Sequence, residues 1–77
     1  MPLRLNNRLD VRDLKGKWLE AIVVKIVPGQ YMTVHFRGWN KKWDEDLPLD
    51  PEHFNDLLDF KIAEVGSYSQ AYGAAKF

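Results

Sequence analysis

The 77-residue chain contains no cysteine and only two histidines, His35 and His53. A disulfide framework and a thiolate metal site are therefore excluded, and two histidines are too few for a zinc site without cysteine. No apolar run approaches the ~20 residues that span a bilayer, and residues 1–10 lack the apolar centre of a signal peptide. These absences predict a soluble, intracellular protein that needs no metal or cofactor and does not contact a membrane.

Residues that could perform catalysis are also scarce. Serine occurs only at positions 67 and 69, and neither a nucleophile–base pair nor a glycine-rich phosphate loop is visible. Asp44, Glu45 and Asp46 are consecutive carboxylates, but neighbouring residues of a strand point to opposite faces and make a poor acid–base pair. We therefore predict that the protein is not an enzyme.

The chain length corresponds to one small domain, which buries only ~60% of the surface that its unfolded chain exposes. The net charge is zero, but its two signs are unevenly distributed. Residues 1–43 carry nine basic and three acidic side chains, whereas residues 44–77 carry two basic and eight acidic ones. This asymmetry fits either separate basic and acidic surfaces or two halves that pair in the fold.

Short apolar segments separated by turn residues predict a small β-structure. Five segments have strand character, namely residues 9–13, 18–27, 31–36, 43–47 and 61–65. Residues 18–27 are almost continuously apolar, without a clean period of two, so this strand is expected to bend. Pro28 and Gly29 then favour a tight turn into the next strand.

The third quarter of the chain predicts a short helix over residues 51–59. Asp50 suits the N-cap, Pro51 suits the first helical position, and Phe54 and Leu57 follow at helical spacing. From Gly66 onwards the sequence is small and polar. We therefore expect a domain over residues 1–65 and a flexible tail or linker over residues 66–77.

Strands this short, joined by tight turns, predict an all-β fold with a small α content. Closing such strands into a strongly bent barrel also removes exposed sheet edges, which otherwise invite pairing with other chains. Nothing in the pattern requires a second copy, so we expect a monomer.

The most distinctive segment is VHFRGWNKKWDE at residues 34–45. It places Phe36, Trp39 and Trp43 around a turn, where their rings could form three walls of a pocket. Ring faces attract quaternary or tertiary ammonium groups, so such a pocket would suit a methylated lysine. Alternatively, one or two of these rings pack the core, and Trp43 is the best candidate because it opens a predicted strand.

This segment resembles the chromo barrel (Tudor-knot) family of Tudor-like chromatin modules. The family pattern is V-H-(Y/F)-x-G-W-x-x-x-(W/Y)-D-E-W. The chain matches it at Val34, His35, Phe36, Gly38, Trp39, Trp43, Asp44 and Glu45. Residues 9–13, 18–24 and 61–63 are similar to flanking strands of the family, so the resemblance spans roughly residues 5–65.

The resemblance implies a five-stranded, SH3-like bent barrel and a nuclear, histone-binding reader module of a histone acetyltransferase or deacetylase complex. By position, Phe36, Trp39 and Trp43 would form the methyl-lysine cage, and Asp44 and Glu45 would be acidic groups at its rim. The expected partner is a methylated histone peptide.

Two positions depart from the family pattern. The usual fourth aromatic wall corresponds to Leu19, and strand alternation turns Trp18 away from it, so the cage is incomplete and should bind weakly, with a Kd of about 1 mM. Asp46 replaces a tryptophan that packs the barrel in the family. We expect Phe54 or Phe60 to replace that packing, with the 50–60 insert covering a barrel edge rather than presenting side chains to a partner.

RNA or DNA binding is the main alternative function. The strand order brings two basic turns near one end of the barrel, where exposed Trp39 would suit base stacking beside phosphate contacts. The basic residues of these turns are Lys15, Lys17, Arg37, Lys41 and Lys42. A module that binds an unmodified protein is the third possibility.

Overall fold

Five antiparallel strands curl into a half-barrel in the computed structural model, which describes residues 3–69. The strands are β1 (Arg8–Arg12), β2 (Trp18–Val27), β3 (Tyr31–Phe36), β4 (Glu45–Pro48) and β5 (Ile62–Glu64). Their order in the sheet is β4-β3-β2-β1-β5. The predicted all-β fold, a five-stranded bent barrel of SH3-like type with little helix, is confirmed.

A bulge in β2 bends the sheet. Val23 pairs with Val34 of β3 but Lys25 pairs with Thr33, so Val24 is the extra residue. An extra residue increases the local twist of a strand and lets a long strand curve. The bulge thus explains why residues 18–27 lack a clean period of two. It also allows β2 to bend along the curved sheet.

The core fills the inside of the curl. Its members come from all five strands and from the segment before β5; they are Leu9, Val11, Leu19, Ala21, Val23, Met32, Val34, Phe36, Leu47, Leu57 and Ile62. No helix within residues 3–69 is long and apolar enough to cross a membrane.

The insert between β4 and β5 consists of helix α1 (Pro51–Asp56) and a π-helical segment, Leu57–Lys61. Leu57 is buried in the core and Phe54 packs against it. The Lys61 ammonium lies 2.8 Å from the Glu45 carboxylate, which ties the insert to the start of β4. The insert therefore covers an edge of the half-barrel, as expected. Of the two residues expected to replace the missing tryptophan, Phe54 packs against the core, whereas Phe60 is 63% exposed and does not.

The carboxylate of Asp10 is buried where residues 66–69 cross β1. Its Oδ1 accepts hydrogen bonds from the Gly66 N–H (3.1 Å) and from the Ser69 Oγ (2.6 Å). Its Oδ2 accepts from the backbone N–H groups of Tyr68 (2.7 Å) and Ser69 (2.8 Å). Asp10 therefore fixes this segment onto the barrel.

We expected a flexible tail over residues 66–77. Three of its first four residues, Gly66, Tyr68 and Ser69, are instead hydrogen-bonded to Asp10. The Tyr68 ring stacks on Trp18 with the ring centroids 4.5 Å apart. The guanidinium of Arg12 lies 5.8 Å from the Trp18 ring centroid. Residues 70–77 lie outside the described part of the chain. The folded unit thus includes Ser69.

Two opposing effects set the pKa of the Asp10 carboxyl. Burial raises the pKa because the charged form loses its water. The hydrogen bonds from the Ser69 side chain and from the backbone of Tyr68, Ser69 and Gly66 favour the charged form, and together they lower the pKa below its usual value. Since a buried charge is tolerated only when hydrogen bonds replace water, the segment and the carboxylate depend on each other.

We predict that Asp10→Asn lowers the free energy of unfolding by about 1–3 kcal/mol, because the amide turns an NH₂ group towards buried N–H donors. Urea unfolding followed by tryptophan fluorescence measures the change. Asp59→Asn removes an exposed carboxylate of the insert and is the matched control, with an expected change below about 0.5 kcal/mol. Equal losses in the two variants would contradict a stabilising role of the Asp10 contacts.

The stabilisation by Asp10 should also depend on pH. Because its pKa is lower in the folded chain, the contribution is complete above the unfolded value of about 3.9 and is lost as the pH falls through the lower folded value. The stability difference between the wild type and Asp10→Asn should be constant near neutrality and shrink below about pH 4. A difference that stays constant in acid, measured by urea unfolding across the pH range, would contradict this.

Candidate functional site

A cavity of about 350 Å³ opens at one end of the barrel, between the β1–β2 turn and the β3–β4 connection. Its aromatic and aliphatic lining is formed by Leu14, Leu19, Phe36, Trp39 and Trp43. Its charged lining is formed by Asp13, Lys15, Lys42, Asp44 and Glu45. The fold thus brings together at one cavity every residue that the sequence predicted for the cage and its rim.

Phe36 and Trp39 are positioned by the turn that ends β3. Gly38 has a φ of +82°, a conformation that other residues rarely adopt, and the Trp39 N–H donates to the Phe36 carbonyl (3.1 Å). Phe36 is buried and lines the cavity, whereas the Trp39 indole remains 49% exposed. The turn therefore places the Trp39 ring outside the core, next to the Phe36 ring, which is part of the core.

Trp43 lies on the cavity, not in the core as its predicted strand position suggested. Residues Lys41–Trp43 form a 3-10 turn, and β4 begins only at Glu45. The side chain of Asn40 caps this turn by accepting from the Lys42 N–H (2.9 Å). The turn leaves the Trp43 ring 56% exposed. Two half-exposed indoles at one cavity are notable because large aromatic rings normally bury most of their surface.

The β1–β2 turn forms the opposite side of the cavity. The Asp13 Oδ1 accepts from the N–H groups of Lys15 (2.9 Å) and Lys17 (2.8 Å), which holds the turn closed. Leu14 at its tip is 87% exposed and lines the cavity. The sequence analysis missed Leu14; the only indication was one leucine within a charged turn.

Leu19 and Trp18 occupy opposite faces of β2, as alternation predicted. Leu19 is buried and lines the cavity, while Trp18 stacks on Tyr68. The cavity therefore has three aromatic residues and an aliphatic side chain at position 19.

The acidic groups at the cavity already have partners. The Nδ1 of His35 donates to the Asp44 Oδ1 (2.7 Å), and Glu45 pairs with Lys61. Each of the two carboxylates thus serves a structural contact. Their attraction for a ligand cation is therefore smaller than that of two free carboxylates.

The basic residues predicted for nucleic-acid binding divide into three groups. Lys15 and Lys42 line the cavity, and Lys17 and Lys41 are exposed in the same two loops. Arg37 donates to the Glu20 carboxylate (3.1 Å), which Arg8 also contacts. The two loops do meet at one end of the barrel, as expected, but one of the five cations already has a carboxylate partner.

A group of possible metal ligands occurs elsewhere, at the start of α1. Ligand atoms of Asp50, Glu52 and His53 lie within 4.8 Å of one another. The His53 Nδ1 donates to the Asp50 Oδ2 (2.7 Å), and this hydrogen bond raises the pKa of His53 and lowers that of Asp50. The cluster is exposed and its geometry is explained by the pairing of these two side chains at the helix start.

Comparison of the chain with protein-family models, curated proteins and solved structures gives no significant match. The link to the chromo barrel family therefore depends on the motif at residues 34–45 and on the fold.

Proposed function

We propose that the protein is a non-catalytic chromatin reader that binds a methylated lysine of a histone peptide in this cavity. The observation that carries the proposal is the meeting of Phe36, Trp39 and Trp43 at one cavity, with both indoles half exposed. Exposed indole faces next to a buried ring offer a site for a methylated ammonium group, because the ring faces attract the cation. A chromo barrel module with this role would act in the nucleus, within a larger chromatin-modifying complex.

The number of aromatic rings around the cavity sets the expected affinity for the methylated lysine. A cation over an aromatic ring contributes roughly 0.5–1 kcal/mol at exposed sites and more when water is excluded. Three rings of this strength supply roughly 1.5–3 kcal/mol, so we expect binding no tighter than a Kd of about 1 mM, for which the total binding free energy is about 4 kcal/mol. Asp44 and Glu45 add electrostatic attraction for the ligand cation. This attraction is reduced because Asp44 contacts His35 and Glu45 contacts Lys61.

Nucleic-acid binding is the second candidate, favoured by one observation. Lys15 and Lys42 stand at the same cavity as the exposed Trp39, so a base could stack while phosphates contact the lysines. Each phosphate contact would lower the affinity by about 0.7–0.9 log units per log unit of salt. The involvement of Arg37 with Glu20 weakens this alternative, and a flat response to salt would exclude it.

We predict that Trp39→Ala weakens binding of a trimethyl-lysine peptide at least about tenfold, since it removes a cavity wall while leaving the core intact. Tryptophan fluorescence and isothermal titration with methylated and unmethylated peptides measure this loss. Phe60→Ala is the matched control, because Phe60 is an exposed aromatic residue away from the cavity. Unchanged binding by Trp39→Ala would contradict the cage.

We predict the opposite effect for Leu19→Phe. An aromatic ring at this position adds a fourth wall, so the affinity for the trimethyl-lysine peptide should rise about two- to fivefold. The same titration measures it, and urea unfolding checks that the larger side chain is accommodated, because overpacking costs about 1–3 kcal/mol. A folded Leu19→Phe variant with weaker methyl-dependent binding would contradict the assignment of this wall.

A further inference from the structure

The charged side chains at the cavity differ in whether they have a partner. Asp44 and Glu45 are paired with His35 and Lys61, and the Asp13 carboxylate accepts two backbone N–H groups. Within residues 3–69, the cavity lysines Lys15 and Lys42 form no ion pair with a carboxylate. The cavity thus combines rings that attract a cation with two lysines that repel one.

Lys42 is the more important of these two lysines. Its Nζ lies 5.5 Å from the centroid of the Trp43 ring, which is the distance of a cation–π contact. Lys42 and Trp43 line the same cavity. The Lys42 ammonium therefore already contacts the Trp43 ring, which the ligand cation would also contact. A ligand ammonium must therefore displace the Lys42 ammonium or accept its repulsion.

A ligand can relieve this conflict by carrying a negative group of its own. We propose that Lys42 makes the cavity selective for a methylated lysine with an acidic residue as a close neighbour in the peptide, an inference that rests on the proposed function. The methylammonium takes the place of Lys42 at the ring, and the displaced Lys42 ammonium pairs with the acidic side chain.

Peptide geometry allows both contacts at once. Successive residues of an extended peptide are spaced by about 3.3 Å, with alternate side chains on the same face. Lys42 has a long flexible stem, so its ammonium can move from the Trp43 ring to a carboxylate one or two residues from the methylated lysine. Lys15 on the opposite loop can support an acidic group on the other flank.

The test uses four peptides: a trimethyl-lysine or an unmodified lysine, each with either glutamate or glutamine two residues away. For the wild type we expect the methylated glutamate peptide to bind about fivefold tighter than the methylated glutamine peptide. Lys42→Met should abolish this preference and bind the methylated glutamine peptide about threefold tighter than the wild type does, because the internal competitor is gone.

Lys25→Met is the matched control. The Lys25 ammonium lies 5.4 Å from the Tyr31 ring centroid, outside the cavity, so this variant removes the same charge and the same kind of contact. It should retain the preference of the wild type for the glutamate peptide. Isothermal titration at one fixed ionic strength measures all affinities.

The possible outcomes distinguish the role of Lys42 from the proposed reader function. Methyl-dependent binding with no difference between the glutamate and glutamine peptides would overturn the role of Lys42 and leave the reader function intact. A preference that disappears equally in Lys25→Met would also overturn it, since net charge would then explain the effect. Absence of methyl-dependent binding in the wild type and in Lys42→Met would overturn both proposals.

Discussion

The buried carboxylate of Asp10 is the constraint on which the arrangement of the domain depends. A charge inside so small a protein must replace its lost water with hydrogen bonds, and residues 66–69 supply them. The same contact brings Tyr68 onto Trp18. Strand alternation turns Trp18 and its neighbour Leu19 to opposite faces of β2, and the Tyr68 ring contacts Trp18 on its own face. Leu19 lines the cavity, which therefore has three aromatic residues.

The candidate site consists of two core residues and two loops. Phe36 and Leu19 belong to the core, so their positions follow from the packing of the sheet. Trp39 and Trp43 stand on short turns whose shapes depend on Gly38 and on the Asn40 cap. In the proposed function, this site binds a methylammonium group, and Lys42 selects among the peptides that carry it.

Much of the fold and the site was predictable because it depends on local rules. Alternation located the strands and placed Trp18 opposite Leu19, and the spacing around Gly38 brought three aromatic residues to one turn. The bonding of residues 66–69 to Asp10 was not predictable, since a buried aspartate and an exposed one look alike in a sequence. Core packing of Trp43 remained an alternative to its place in the cage because no local rule distinguishes a strand start from a 3-10 turn. Phe60 likewise faces water because the π-helical segment changes which side of the insert is buried.

The most direct test of the reader function is an NMR titration of the isotope-labelled protein with a trimethyl-lysine histone peptide, its unmodified counterpart and a short single-stranded RNA. The account predicts shifts at Phe36, Trp39 and Trp43 that require the methyl groups, even at a Kd of about 1 mM. Silence from every peptide would contradict it. Silence combined with salt-sensitive shifts from the RNA at Lys15 and Lys42 would instead identify the cavity as a nucleic-acid site.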